Sequence, residues 1–286
     1  MSDKLELLLR FYRTADKTQA KLETADFSAE LLERLRRIGT VDYAEFKNGT
    51  FSFRLSGLRS GTFEALAGEH LAGRGSVCCY FDRRANDLFA ANVDSEFMEP
   101  RDAKIFTLYY TEGLTRYGLH PLITRSGHGY HIWCRLQSAV ENAALRELTC
   151  FFIVRAAALT VRKGGDLSHL QCICYPRGEQ NDISLRMFGG RHPGSGRFCP
   201  VATAVGPADT LLSEEDSWLF FERYLEHAPV SSEAFAQALA RVRCEQPRLE
   251  EACRAAGNPA LMGILEDQKR LGGFRMSRSA PLGEES

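Results

Sequence analysis

The chain has no long apolar run. Nowhere do ~20 uninterrupted hydrophobic residues occur, the length a membrane span requires, and residues 1–18 are charged and amphipathic instead of forming an apolar leader. A cytoplasmic protein without a membrane partner is expected. Net charge is also scarce: 36 Lys and Arg face 37 Asp and Glu, giving −1 and a pI near 6.7. That argues against a protein that coats nucleic acid by bulk electrostatics. The nine cysteines show no regular spacing and no C-x2-C pair. A disulfide framework is therefore not read, and zinc is expected to be absent; in a reducing compartment such cysteines are small core hydrophobes. No internal repeat is visible.

With 286 residues and 44% hydrophobic content, a substantial core is available. The near-zero net charge conceals a division along the chain. Between positions 116 and 197 there are eleven Lys or Arg against five acids, whereas from 206 onward nine bases face fourteen acids. The middle is where a polyanion would sit, although solvated basic faces alone account for charge of this size.

Residues 1–75 read mainly helical, as a scaffold: Leu5, Leu8, Leu9 and Tyr12 share one face, and Leu31, Leu32, Leu35 and Ile38 another. Residues 50–55 alternate as a short strand. Residues 76–205 form the chemistry-bearing core. There 77–82 and 88–93 read as a hairpin, 101–116 as a helix, 122–125 and 130–136 as a second hairpin, and 142–161 as a long apolar helix. Strand-like 170–175 and 183–188 follow. Residues 206–270 read as helical segments broken near Pro229, Pro247 and Pro259, and 271–286 as a tail that needs no structure. Hairpins alternating with helices predict an α/β (α+β) fold with a sheet covered by helices on one face.

Three segments carry chemistry. Asp94-Ser95-Glu96 ends a strand whose period places both carboxylates on one face. Like charges so placed repel unless a divalent cation such as Mg²⁺ sits between them, though this pattern is also common on solvent edges. In Arg125-Ser126-Gly127-His128-Gly129-Tyr130-His131-Ile132-Trp133, the glycines admit a ligand close to the backbone, and His131, Trp133 and Arg135 share a face opposite Tyr130, Ile132, Cys134 and Leu136. His131 suits donation to a phosphate oxygen and Arg125 or Arg135 suits clamping it; a structural histidine on a sheet face fits equally. A strand carrying Arg186 then runs into a loop with Gly189, Gly190, Arg191, His192, Gly194, Gly196 and Arg197, a composition that suits phosphates or simply a flexible basic loop.

Taken in order, these pieces resemble the archaeo-eukaryotic primase superfamily, especially compact primase-polymerases of mobile elements, conflict systems and CRISPR-associated loci. The acidic strand ends in Asp94 and Glu96. Gly118-Leu119-His120-Pro121 precedes the Ser126 to Trp133 hairpin, and Tyr175-Pro176-Arg177 precedes the Arg186 to His192 segment. The likeness covers roughly residues 77–201. It implies an RRM-like mixed sheet and a template-dependent nucleotidyltransferase, with the N-terminal scaffold as part of the catalytic unit. It implies Asp94, Glu96 and His131 as catalytic residues, Asp94 and Glu96 as ligands of Mg²⁺ or Mn²⁺, and Arg125, Ser126, Gly127, His131, Arg186, Arg191 and His192 as nucleotide-binding. The implied partners are an NTP or dNTP, a single-stranded template, and helicases, nucleases or CRISPR and other defence proteins.

One departure stands out. The family places a third carboxylate on the strand before Tyr175-Pro176-Arg177, and His169-Leu170-Gln171-Cys172-Ile173-Cys174 holds none. Asp166, Glu179 and Asp182 are the nearest acids. The alternative is therefore a catalytically degenerate primase-like domain that binds nucleotide or nucleic acid and recruits partners. Two lesser readings are a zinc site of His169, Cys172, Cys174 and Cys199, and a metal-dependent nicking enzyme, which the lack of an H-x-H pair at His128 and His131 disfavours.

Overall fold

The computed structural model describes residues 2–25, 27–47, 49–95, 101–127, 129–167, 170–177, 184–206, 208–271 and 273–275. Residues 1–75 are not mainly helical. Helices α1 (Ser2–Phe11), α2 (Ala29–Ile38) and α3 (Thr62–Leu71) alternate with strands β1 (Ala15–Thr24), β2 (Thr40–Lys47) and β3 (Thr50–Ser56). β1 is hard to read because its sequence, ADKTQAKLET, is mostly polar; only Gln19, Ala20, Leu22 and Thr24 are buried. These strands join β4 (Ser76–Phe81) and the two-residue β9 (Leu185–Arg186) in a five-stranded sheet ordered β2-β3-β1-β4-β9.

The second sheet is ordered β12-β8-β5-β7-β6. It comprises β5 (Ala85–Ser95), β6 (Pro121–Arg125), β7 (Tyr130–Glu141), β8 (Leu170–Tyr175) and β12 (Gly273–Arg275). The expected 77–82/88–93 hairpin does not form, because β4 and β5 belong to different sheets. Side chains at the corner between them explain why. Asp82 Oδ1 accepts from the amides of Arg84 (2.8 Å) and Ala85 (3.2 Å), and Asn86 Oδ1 accepts from the Asp82 amide at 3.0 Å. Asn86 Nδ2 donates to Asn142 Oδ1 at 2.8 Å, and Asn142 Nδ2 to the Asp82 carbonyl at 2.9 Å. This Asx-type corner redirects the chain instead of folding it back. The second expected hairpin, β6 with β7, does form.

Helices α4 (Arg101–Arg116) and α5 (Asn142–Arg162) cover one face of the second sheet, as expected, and α7 (Ser232–Ala255) and α8 (Pro259–Leu271) pack on α5. Pro247 lies inside α7 and does not break it, whereas Pro229 and Pro259 do fall at helix boundaries. Within the tail assigned to 271–286, residues 273–275 pair with β8; residues 276–286 lie outside the described residues. A small β10 (Ala202–Ala204) and β11 (Thr210–Leu211) ribbon precedes α6 (Glu214–His227).

The class is α+β, with eight helices among the described residues; both large sheets pair antiparallel throughout, in place of a mixed sheet. The other face of the second sheet turns toward the first: Leu88, Ala90, Trp133 and Tyr175 share a core with Val77, Cys79 and Phe81, joined by Phe11 of α1 and by Tyr12 just after it. Phe11 and Tyr12 meet Trp133 edge-on at 5.8 and 5.6 Å, which pins α1 between the sheets. No helix among the described residues is long and apolar enough to cross a membrane.

Candidate active site

Strand alternation builds the first wall of the inter-sheet cleft. Phe89, Ala91 and Val93 of β5 enter the helix-side core, so Asn92 and Asp94 turn toward the other sheet. On β7 the helix-side core takes Tyr130, Ile132, Cys134 and Leu136, leaving His131, Trp133 and Arg135 inward, the expected division. Cross-strand register sets His131 opposite Asn92, and Gln171 of β8 opposite Asp94. Glu96, His128, His169, Glu179 and Asp182 lie outside the described residues.

Two glycines are required here. A Cβ at Gly129 would stand 1.9 Å from the Val93 carbonyl oxygen and 2.9 Å from Asp94 Cα, so only bare backbone lets the turn close onto β5. Gly127 has φ +76°, and a Cβ there would lie 2.8 Å from the His192 ring. The hairpin turn and the glycine-rich loop are therefore in contact. Ser126 contributes its amide, which donates to the Gly129 carbonyl at 3.0 Å.

The opposite wall comes from the first sheet. Register aligns Lys21, Cys78 and Arg186 across β1, β4 and β9. Arg186 Nη2 donates to Glu23 at 3.3 Å, and Lys21 donates to the same carboxylate at 2.8 Å. Burial alone would raise the Glu23 pKa, but the Arg186 and Lys21 charges outweigh it and hold the carboxyl below its usual range. Burial opposes the Arg186 charge, and Glu23 more than restores it. His131 sits well below an ordinary histidine, first because it is buried and then because Arg186 and His192 stand nearby. Its imidazole is neutral at pH 7, held edge-on to Trp133 at 5.8 Å.

Hydrogen-bonding capacity is left unused on both walls. Arg186 Nε and Nη1 are buried donors with no oxygen or nitrogen partner, only the weakly accepting Cys199 thiol standing beside the guanidinium, and Asn92 Oδ1 is a buried acceptor without a partner. Each such atom costs about 1–3 kcal/mol.

Not every predicted residue arrives here. Arg125 sits on the helix-side face, over the Tyr130 ring at 4.9 Å and 3.7 Å from Asp209. Arg191 is exposed and pairs with Glu214 at 3.1 Å. Arg135 is occupied by Asp87 and by the Phe11 and Arg10 carbonyls. Asp166 is exposed in the turn after α5. The first loop glycines pack against side chains and not phosphate: a Cβ at Gly189 would lie 2.2 Å from Trp218, and at Gly190 1.9 Å from His70. Cys172 and Cys174 face the helices while Cys199 neighbours Arg186, which splits the zinc set across a sheet. Among the described residues no three His, Cys, Asp or Glu are grouped to hold a metal.

No protein-family model matches the chain, and no curated protein matches it in sequence. Among solved structures it is similar to the polymerase domain of Mycobacterium tuberculosis ligase D in complex with DNA, with a TM-score of 0.38 and 10% identity over 80% of this chain and 93% of that one. At that level the likeness assigns no residue a role.

Four cleft residues escaped the sequence reading. Glu23 and Lys21 were hidden because their strand lay in a stretch read as helical. Asn92 and Gln171 carried a usable signal: both fall on the same strand face as Asp94 once period two is applied.

Proposed function

We propose that the protein is a template-dependent nucleotidyltransferase that extends a 3′-hydroxyl with nucleotides drawn from NTPs or dNTPs. The observation that carries the reading is the unused hydrogen-bonding capacity flanking neutral His131: two Arg186 donors on one wall and the Asn92 acceptor on the other. Guanidinium forks bind phosphate oxygens through charge-assisted bonds. A neutral imidazole adds one N–H donor without costing a buried charge. Gly127 and Gly129 let the hairpin turn close onto β5 and the His192 loop, which seats His131 opposite Asn92. The order of acidic strand, histidine hairpin and arginine strand, resembling the primase superfamily, supports the same assignment.

The residues present fit an oxygen-liganded divalent cation. Asp94 and Asn92 Oδ1 share the inward face of β5, with the Gln171 amide across from Asp94, a hard-donor set of the kind Mg²⁺ and Mn²⁺ take. Glu96 is proposed as the further ligand. Such an ion, when bound, neutralises triphosphate charge and lowers the pKa of the attacking hydroxyl. Arg186 and His131 would orient the phosphates, and Glu23 with Lys21 would hold the Arg186 fork in place.

A second reading, nucleotide or nucleic-acid binding without synthesis, is favoured by one observation. β8 turns Gln171, Ile173 and Tyr175 to the cleft and no carboxylate. One experiment separates the two. The protein is incubated with a single-stranded template, labelled NTPs or dNTPs and Mn²⁺, beside Asp94→Ala. Metal-dependent extension lost in Asp94→Ala supports synthesis. Nucleotide binding without product supports the second reading, and equal product from both proteins refutes the site.

A further inference from the structure

Large apolar side chains on a surface need an explanation when they cluster. Phe46 is 63% exposed and Phe27 47% exposed, and they are not isolated. Phe46 meets Phe51 at 4.5 Å, and Phe51 meets Phe27 at 5.1 Å. Phe27 and Phe51 both stack on buried Phe53, at 6.0 and 6.5 Å. Phe46 and Phe51 face each other across the β2–β3 ladder, so the rings are held by strand register. The outcome is an ordered aromatic ladder with one buried rung and an open outer edge.

Its position relative to the cleft gives it a direction. From Asp94, contact runs through Gly129 to the hairpin turn, where Gly127 lies against His192. His192 in turn lies against Gly194, and a Cβ at Gly194 would be 3.9 Å from Thr50 Oγ1. Thr50 pairs with Lys47, and the next rung of that hairpin is Phe46 with Phe51. The connecting loop carries Arg191, His192 and Arg197, with Arg191 tied to Glu214, and Asp42 and Glu45 are the exposed acids on β2. The site thus continues through a basic loop to exposed rings.

We infer that the Phe27, Phe46 and Phe51 ladder is a stacking platform for unpaired bases of a single nucleic-acid strand leaving the cleft. This rests on the nucleotidyltransferase reading, which supplies the strand. Aromatic faces accept any base, because every base has a π-face, while loop cations track the backbone. DNA and RNA share that chemistry.

The test measures anisotropy of labelled oligothymidylate, oligouridylate and an abasic strand of equal length, in EDTA without nucleotide. It compares the full chain with Phe27→Ala/Phe46→Ala, whose side chains are exposed enough to leave the core unchanged. Affinity for the two base-bearing strands falls about tenfold or more in the variant. Affinity for the abasic strand is weak in both proteins and unchanged by substitution; whichever of DNA and RNA loses more identifies the strand. Equal binding by variant and parent overturns the platform. So does an equal loss on the abasic strand, or a parent dimer that the substitutions dissociate, which would mean a second copy covers the rings. Asp94→Ala separates the two proposals: lost synthesis with retained strand binding leaves the platform standing, and a normal synthetic rate with no ring-dependent binding sinks the platform alone.

Discussion

Arg186→Met distinguishes a ligand-binding arginine from a structural one. The guanidinium makes one charged hydrogen bond, to Glu23 at 3.3 Å, and buries two donors with no oxygen or nitrogen partner beside the Cys199 thiol. Losing the first costs about 1.5–3 kcal/mol, while removing those two donors returns about 1–3 kcal/mol each. Glu23 is not stranded, since Lys21 remains 2.8 Å away. The sum runs from about 1 kcal/mol of destabilisation to about 4 kcal/mol of stabilisation, so the variant should be at most about 1 kcal/mol less stable than the parent. Nucleotide affinity should not escape so lightly. Two charge-assisted bonds to phosphate at about 1.5–3 kcal/mol each place the loss at 100-fold or more. Stability is read from urea unfolding followed by circular dichroism, and affinity from displacement of a fluorescent triphosphate analogue. A variant destabilised by more than about 4 kcal/mol that still binds nucleotide at parental strength would refute the reasoning, since that is the behaviour of a buried structural ion pair.

Asp87 is such a structural charge: it is fully buried and accepts from Arg135, Arg13 and Thr14 Oγ1 (2.6 Å). Asp87→Ala should destabilise by about 3–5 kcal/mol in urea, and adding Arg135→Met should recover part of that. His70 gives a pH signature. Its Nδ1 accepts from the Val77 amide, its Nε2 donates to the Phe188 carbonyl, and burial pushes its pKa down to about 4. Because the folded value lies below the unfolded one near 6.5, stability is complete above about pH 6.5. It declines as pH falls toward 4, by up to about 3 kcal/mol. Buried His131 shifts in the same direction, so His70→Gln should flatten the pH dependence without abolishing it, and an unchanged slope in urea unfolding would contradict the assignment. Gly129→Ala should unseat the hairpin from β5 and remove nucleotide binding. Gly118→Ala, with open space around it but φ +74°, should cost only about 1 kcal/mol in the same unfolding assay.

Local periodicity made part of this legible. The β6–β7 hairpin and its inward His131, Trp133 and Arg135 follow from alternation, as does the helical cover over the second sheet. What stayed hidden depends on contacts between distant segments. Arg186 and Glu23 are 163 residues apart in sequence, and no local pattern pairs them. The β4–β5 connection has the apolar runs of a hairpin, yet Asn142, 56 positions beyond Asn86, helps turn it into a corner. Gly189 and Gly190 look like a phosphate loop until Trp218 and His70 are seen against them. Arg125 was placed with His131 by proximity in sequence, but strand parity sends it through the sheet to Tyr130.

That corner at Asp82, Asn86 and Asn142 also bears on the cleft as a whole. Asp94 and His131 ride on one sheet, Arg186 and Glu23 on the other, and the β4–β5 junction joins the two planes directly. The gap between the Arg186 guanidinium and the His131 imidazole is therefore an angle between two sheets, set at an amide cluster that touches neither. Chains with unaltered motifs and a differently folded junction would hold the same groups at another separation and take a ligand of another length.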